Sequence, residues 1–320
     1  MSKIGEMISL RQAFGEALVE LGGKRRDFVL FDADVYGGTG TKPFVEKYPR
    51  RVLQFGTAEQ NMMLAASGFT TIGLIPIVTT FAVWATMRAH EQFRTFICAP
   101  NLNVKVCVSH VGLDTGPDGL TAQALEDLAT TRAIPNLTVL VPADAVEMRM
   151  ATSAILDFKG PIYMRTGRSP TPVIFGETYK FKIGKANVIR EGEDVTIIAC
   201  GVMVARAKQA HEKLLKMGIR ASLINMSTIK PVDKQVIIDF AKKTRAVVTC
   251  EDHNIIGGLG SAVSEVLTKF FPVPQEYVGV NDLFGESGDP NDLAKKYHLT
   301  AKDIVNKSLK VSKRKNEVKK

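Results

Sequence analysis

The chain has 320 residues, 45% hydrophobic and 23% charged, which is enough for two domains with substantial cores. Its apolar runs are too short to span a bilayer and its opening "MSKIGEMISLRQ" has no apolar signal core, so a cytoplasmic protein is expected, with no membrane partner. Of the net charge of +9, +5 lies in the terminal "KVSKRKNEVKK"; no basic surface interleaved with aromatics points to nucleic acid.

Apolar strands alternate with helical patterns from Leu10 onward. "LRQAFGEALVELG" reads as a helix and "DFVLFD" as a strand. "VLQF" is the next strand and "AEQNMMLAASGFT" the next helix. The strand "IPIVTT" leads into the helix "FAVWATMRAHEQFRTF". The strands "VKVCVS", "LTVLV" and "PIYMR" follow, with helices "ALEDLATTRA" and "DAVEMRMATSAILDF" among them. Continuous apolar strands alternating with helices predict a mostly parallel sheet covered on both faces, an α/β architecture. The first domain is placed at residues 1–170. A breaker-rich stretch at 171–185 reads as a linker. A smaller domain of the same texture occupies 186–308, and 309–320 reads as a disordered basic tail. The four cysteines, Cys98, Cys107, Cys200 and Cys250, form no CxxC pair and read as buried thiols.

Several polar clusters fall at strand ends, where ligands of parallel sheets bind. Thr57 and Gln60 have the spacing of a capping box, which places Glu59 at the second helical position. A carboxylate there complements the helix dipole, so Glu59 has a structural reading beside any functional one. Phe81 and Trp84 stand one turn apart. His110, Asp114 and Asp118 share a Gly-rich loop, and "YMRTGR" ends a strand with Arg165 and Arg168. "IIGGLGS" is either a phosphate nest or a tight strand-to-helix turn. His253 reads as structural, His90 as a surface or interface residue, and His211 and His298 as exposed.

Together these segments resemble the C-terminal half of the transketolase family, a pyrimidine-binding domain followed by the transketolase C-terminal domain. The matching stretches are "AEQNM", "TTFAVW", "SHVGLD", "DGLTAQALEDLA", "RTGR", "INMSTIKPVD" and "EDHNIIGGLG". The resemblance implies thiamine diphosphate as cofactor and transfer of a two-carbon ketol unit between sugar phosphates. Glu59 matches the family's glutamate, which hydrogen-bonds the aminopyrimidine and promotes loss of the thiazolium proton. Phe81 and Trp84 match the aromatic wall for the pyrimidine, although Phe is common where Trp84 stands. Asp34 matches an acid facing the thiazolium. Arg11, His110 and Arg168 match sugar-phosphate ligands, giving two or three cations for one dianion. Asp118 matches a contact to substrate hydroxyls.

The family's GDG motif, which holds Mg²⁺ and the diphosphate, does not occur in this sequence. The resemblance therefore implies a split enzyme. An N-terminal partner subunit would supply the Mg²⁺ ligands, none would come from this chain, and the assembly would be a self-associating heterotetramer. Gly38 replaces a phosphate-contacting Ser, and Ala122 stands where relatives have His or Gln. A deoxyxylulose-phosphate synthase-like activity and a non-catalytic paralogue are the alternatives.

Overall fold

The computed structural model describes residues 3–176 and 178–317. Strands that read as unbroken apolar runs are buried on both faces. Phe28–Asp32, Lys105–Ser109, Val195–Ala199 and Ala221–Asn225 are buried at every position.

The first domain is built on a seven-stranded sheet in the order Thr228–Lys230, Thr138–Leu140, Ile162–Arg165, Lys105–Ser109, Ile75–Phe81, Phe28–Asp32, Val52–Gln54. All neighbours are parallel except the first pair. That edge strand, Thr228–Lys230, comes from the second domain. The second domain has a five-stranded sheet in the order Gln275–Val280, Val247–Asn254, Val195–Ala199, Ala221–Asn225, Asn187–Arg190, antiparallel only at the last pair. One hydrophobic cluster joins Val29, Phe31 and Val78 of the first domain to Ile198, Ile224 and Met226 of the second.

The connecting stretch is tied down at several described positions. Pro170–Pro172 pairs antiparallel with Met7–Ser9. Asp144 caps the helix Ala145–Asp157 and also accepts the backbone N–H of Ile174 and Phe175 at 2.6 and 2.7 Å. The Tyr179 hydroxyl donates to buried Glu147, which also accepts from Asn225 of the second domain.

The basic terminus departs from the expected disordered tail. A helix runs over Ala301–Glu317. Ile304, Ser308 and Val311 form its buried stripe. Lys310 and Arg314 reach Glu276 at 3.1 and 2.7 Å. The charge run masked a helical period, because Lys and Arg side chains flank the stripe and pair with one buried carboxylate. Residues 318–320 of the expected tail lie outside the described residues. No described helix is long and apolar enough to cross a membrane.

Candidate active site

The register of the first sheet gathers the candidate residues at the carboxyl ends of adjacent parallel strands. Phe81 pairs with Ser109, which places it beside His110, and Asp32 pairs with Gln54. Two residues just past these ends, Asp34 and His110, hold φ of 61° and 60°. This left-handed region is unusual for residues other than glycine and concentrates at functional sites.

Gln54, which the sequence reading passed over, organises the Asp34 end. Its Nε2 donates to Asp32 Oδ2 at 2.8 Å and its Oε1 accepts the Asp34 N–H at 2.7 Å. Asp32 keeps a buried Oδ1 with no partner, and burial raises its pKa. Asp34 itself is exposed at the rim.

The opposite side is a stack of rings. Phe81 lies on Trp84 with centroids 4.5 Å apart and on His110 at 3.5 Å. Gly38 makes room for this arrangement. A Cβ there would sit 2.7 and 2.9 Å from two Phe81 ring carbons. Any side chain at position 38 would therefore require Phe81 to move. The Gly38 carbonyl accepts from Arg11 Nη1 at 2.8 Å and lies 3.2 Å from Ser109 Oγ.

His110 is buried, with Nε2 2.9 Å from Asp118 Oδ2 and Nδ1 2.8 Å from Ser109 Oγ. The carboxylate requires the ring proton on Nε2, so Ser109 donates to Nδ1. Burial pushes the imidazole down to about 4, against the pull of Asp118 and with help from Arg11 and Arg168. His110 is therefore neutral at neutral pH. The cations that bear on His110 are Arg11 and Arg168, and Arg168 Nε lies 3.3 Å from Asp118 Oδ2.

Glu59 corrects one local expectation. The helix runs Glu59–Phe69 with Ala58 at the cap position and no side-chain cap bond, so the Thr57–Gln60 capping box does not form. Gly56, at φ 63°, makes a tight turn with an Ala58 N–H to Gly56 carbonyl bond of 2.8 Å, and Thr57 is left exposed ahead of the helix. Glu59 is thus the first helical residue. It is wholly buried and pairs with Arg88 Nη1 at 2.9 Å through Oε2. Its Oε1 is buried with no donor. Arg88 lies 5.3 Å from the Trp84 ring centroid and so joins Glu59 to the aromatic stack.

Other marked residues are structural. Arg165 is clamped on Asp127, with Nε 2.8 Å from Oδ2 and Nη2 on Oδ1, and donates to the Asp252 carbonyl at 3.0 Å. The Asp252 carboxylate, a contact missed in sequence, accepts the N–H of Leu113 and Asp114 at 2.9 Å each. The second domain thereby holds the loop that carries His110 and Asp118. Asp114 is buried and ties Ser169 rather than facing the rings. The "IIGGLGS" turn is a packed turn, filled from within by Glu251, which accepts the N–H of Leu259 and Gly260 at 2.6 and 2.8 Å. His253 is buried, with Nδ1 2.6 Å from the Asn254 carbonyl. His211 is half-buried, not exposed, and burial lowers its pKa. Among the described residues no cluster of three or more His, Cys, Asp or Glu has metal-ligand geometry.

The site fits an aminopyrimidine, on the observation that a buried carboxylate oxygen lacks a donor beside stacked aromatic rings. Comparison with known proteins agrees in kind. Residues 6–173 match the description "Transketolase, pyrimidine binding domain" and residues 184–304 "Transketolase, C-terminal domain". The chain is 40% identical over 308 residues to a Methanocaldococcus jannaschii protein described as a transketolase C-terminal section, covering 95% of this chain and 96% of that one. It is 40% identical over 307 residues to the 6-deoxy-6-sulfo-D-fructose transketolase subunit of a Clostridium species, covering 96% and 95%. A solved split-gene transketolase, an inactive beta4 tetramer, superposes with a TM-score of 0.89 at 45% identity, covering 96% of this chain and 99% of that one.

Proposed function

The chain belongs to the transketolase family, and on that premise we propose that it is the C-terminal subunit of a thiamine-diphosphate-dependent ketol transferase. Its partner is an N-terminal subunit carrying the diphosphate and Mg²⁺ site. The observation that carries this reading is the unpartnered, buried Oε1 of Glu59 beside the Phe81–Trp84 pair. When bound, thiamine diphosphate supplies an acidic thiazolium C–H whose deprotonation permits carbonyl chemistry. Glu59 Oε1 would share a hydrogen bond with the ring nitrogen of the aminopyrimidine, with Phe81 and Trp84 as the aromatic wall beside it. Asp34 would face the thiazolium. Neutral His110 and Asp118 hold and orient hydroxyls of the sugar. Arg11 and Arg168 attract its anionic end.

Self-association, with two copies of this chain and two of the partner, is part of the proposal. The tetrameric split-gene neighbour supports self-association. A second substrate class competes with the sugar phosphates. Gly38 offers no hydroxyl to a phosphate, and a relative's name specifies a sulfo-sugar. Two arginines suit either tetrahedral oxyanion.

The test is a ketol-transfer assay of the purified chain with its candidate partner, Mg²⁺ and thiamine diphosphate, using phosphorylated and sulfonated ketoses as donors. Turnover is expected only when both chains are present, with one donor class preferred. Turnover by this chain without a partner would overturn the split-subunit reading.

A further inference from the structure

We propose that Arg88 is a positioning residue for Glu59: it takes one carboxylate oxygen and leaves the other buried and unpartnered for the cofactor's pyrimidine. This rests on the reading of Glu59 given above and adds a residue to it. Arg88 Nη1 donates to Glu59 Oε2 at 2.9 Å, and no other donor reaches this wholly buried carboxylate among the described residues. A guanidinium bonded to one oxygen fixes the plane of the carboxyl group and hence the place of its second oxygen. The neighbouring guanidinium therefore sets where that second oxygen stands for a hydrogen bond with the ring.

Arg88 reaches this place through a rare backbone form. The segment Trp84–Arg88 is a π-helix, closed by the Ala89 N–H on the Trp84 carbonyl at 3.0 Å. The extra residue in this turn returns the Arg88 guanidinium to the Trp84 ring, 5.3 Å from its centroid. Such turns recur at functional sites. The Arg88 side chain is 48% exposed, so core filling does not explain it. A guanidinium can lie on an aromatic face and hydrogen-bond a carboxylate at once.

The chain's single tryptophan is Trp84, so its emission reports on the site. Thiamine diphosphate with Mg²⁺ is titrated, with calorimetry beside emission, into the candidate partner assembled with the wild-type chain, Arg88→Met, Arg88→Lys, Glu59→Gln and the Arg88→Met/Glu59→Gln double variant. The wild type is expected to give a saturable change. Arg88→Met should weaken cofactor binding by about tenfold, the scale of a charged hydrogen bond. Arg88→Lys should recover much of that loss. The double variant should bind no more weakly than Glu59→Gln alone, because Arg88 acts through Glu59. Melting of the same set follows the pair without ligand: Arg88→Met should destabilise the wild type but not the Glu59→Gln background. Wild-type cofactor affinity in Arg88→Met, or additive losses in the double variant, overturns the inference and leaves the reading of Glu59 standing. Unchanged affinity in Glu59→Gln, or no saturable response in the wild type, overturns the reading of Glu59 and the inference with it.

Discussion

Glu59 in the first domain and Glu251 in the second are both wholly buried carboxylates at helix starts that follow strands, and they end in opposite states. Glu251 spends both oxygens on the first amides of the helix Leu259–Phe270. The turn is moulded to it, since a Cβ on Gly258 would lie 1.9 Å from Glu251 Oε2. Burial still pushes this carboxyl up to about 7. Glu59 has one oxygen on Arg88 and one with no donor. The comparison teaches that a Gly-rich turn at a helix start is not in itself a binding site. What matters is whether the protein's own groups have already filled it.

The strongest way to break this contrast is Glu59→Gln, assayed with the partner subunit and saturating cofactor. Turnover should fall by about 10²- to 10⁴-fold, the usual worth of a positioned acid or base. If Glu59 only complements the helix dipole, the loss is confined to about 0.3–1 kcal/mol of stability. Wild-type turnover in this variant would return Glu59 to that structural role.

Glu251→Gln probes the other side. An amide in place of the carboxylate leaves one helix N–H facing a donor, at about 1–3 kcal/mol of stability. Urea denaturation should record that loss while turnover per folded subunit is unchanged. A large fall in turnover at unchanged stability would reverse the two roles.

A smaller effect separates the buried histidines. Burial holds both His110 and His253 near 4, below the ordinary range. Between about pH 6.5 and 4 the unfolded chain binds protons that the native histidines refuse, so stability falls as pH falls, by at most about 1.4 kcal/mol per pH unit for each group. His253→Asn should flatten that acid limb in denaturation curves taken across pH and leave the donor KM alone. His110→Asn should flatten it and raise KM. A change in KM with His253→Asn would count against its structural assignment.

The alternation of strands and helices was legible because strands covered on both faces must be continuously apolar, as "DFVLFD" and "VKVCVS" are. The polar clusters stood out because each interrupted such a pattern at a strand end. Arg88, Gln54 and Asp252 were not legible. Each acts on a residue distant in sequence, and none sits in a spacing that marks it. The π-turn that brings Arg88 to Glu59 leaves no periodic trace. The helix of the tail is hidden for the opposite reason: its charge is conspicuous, and the stripe of Ile304, Ser308 and Val311 beneath it is not.

By itself the sequence determined the α/β class, the two-domain order and which polar residues fall at strand ends, since these depend on local period and composition. Only the tertiary structure decided which of those groups are already satisfied. It placed Asp252 under the loop carrying His110 and Asp118, put Glu251 into its own turn, and left one oxygen of Glu59 open. The physical reason is that the state of a buried polar group is set by the partners that surround it in space, and those come from remote parts of the chain.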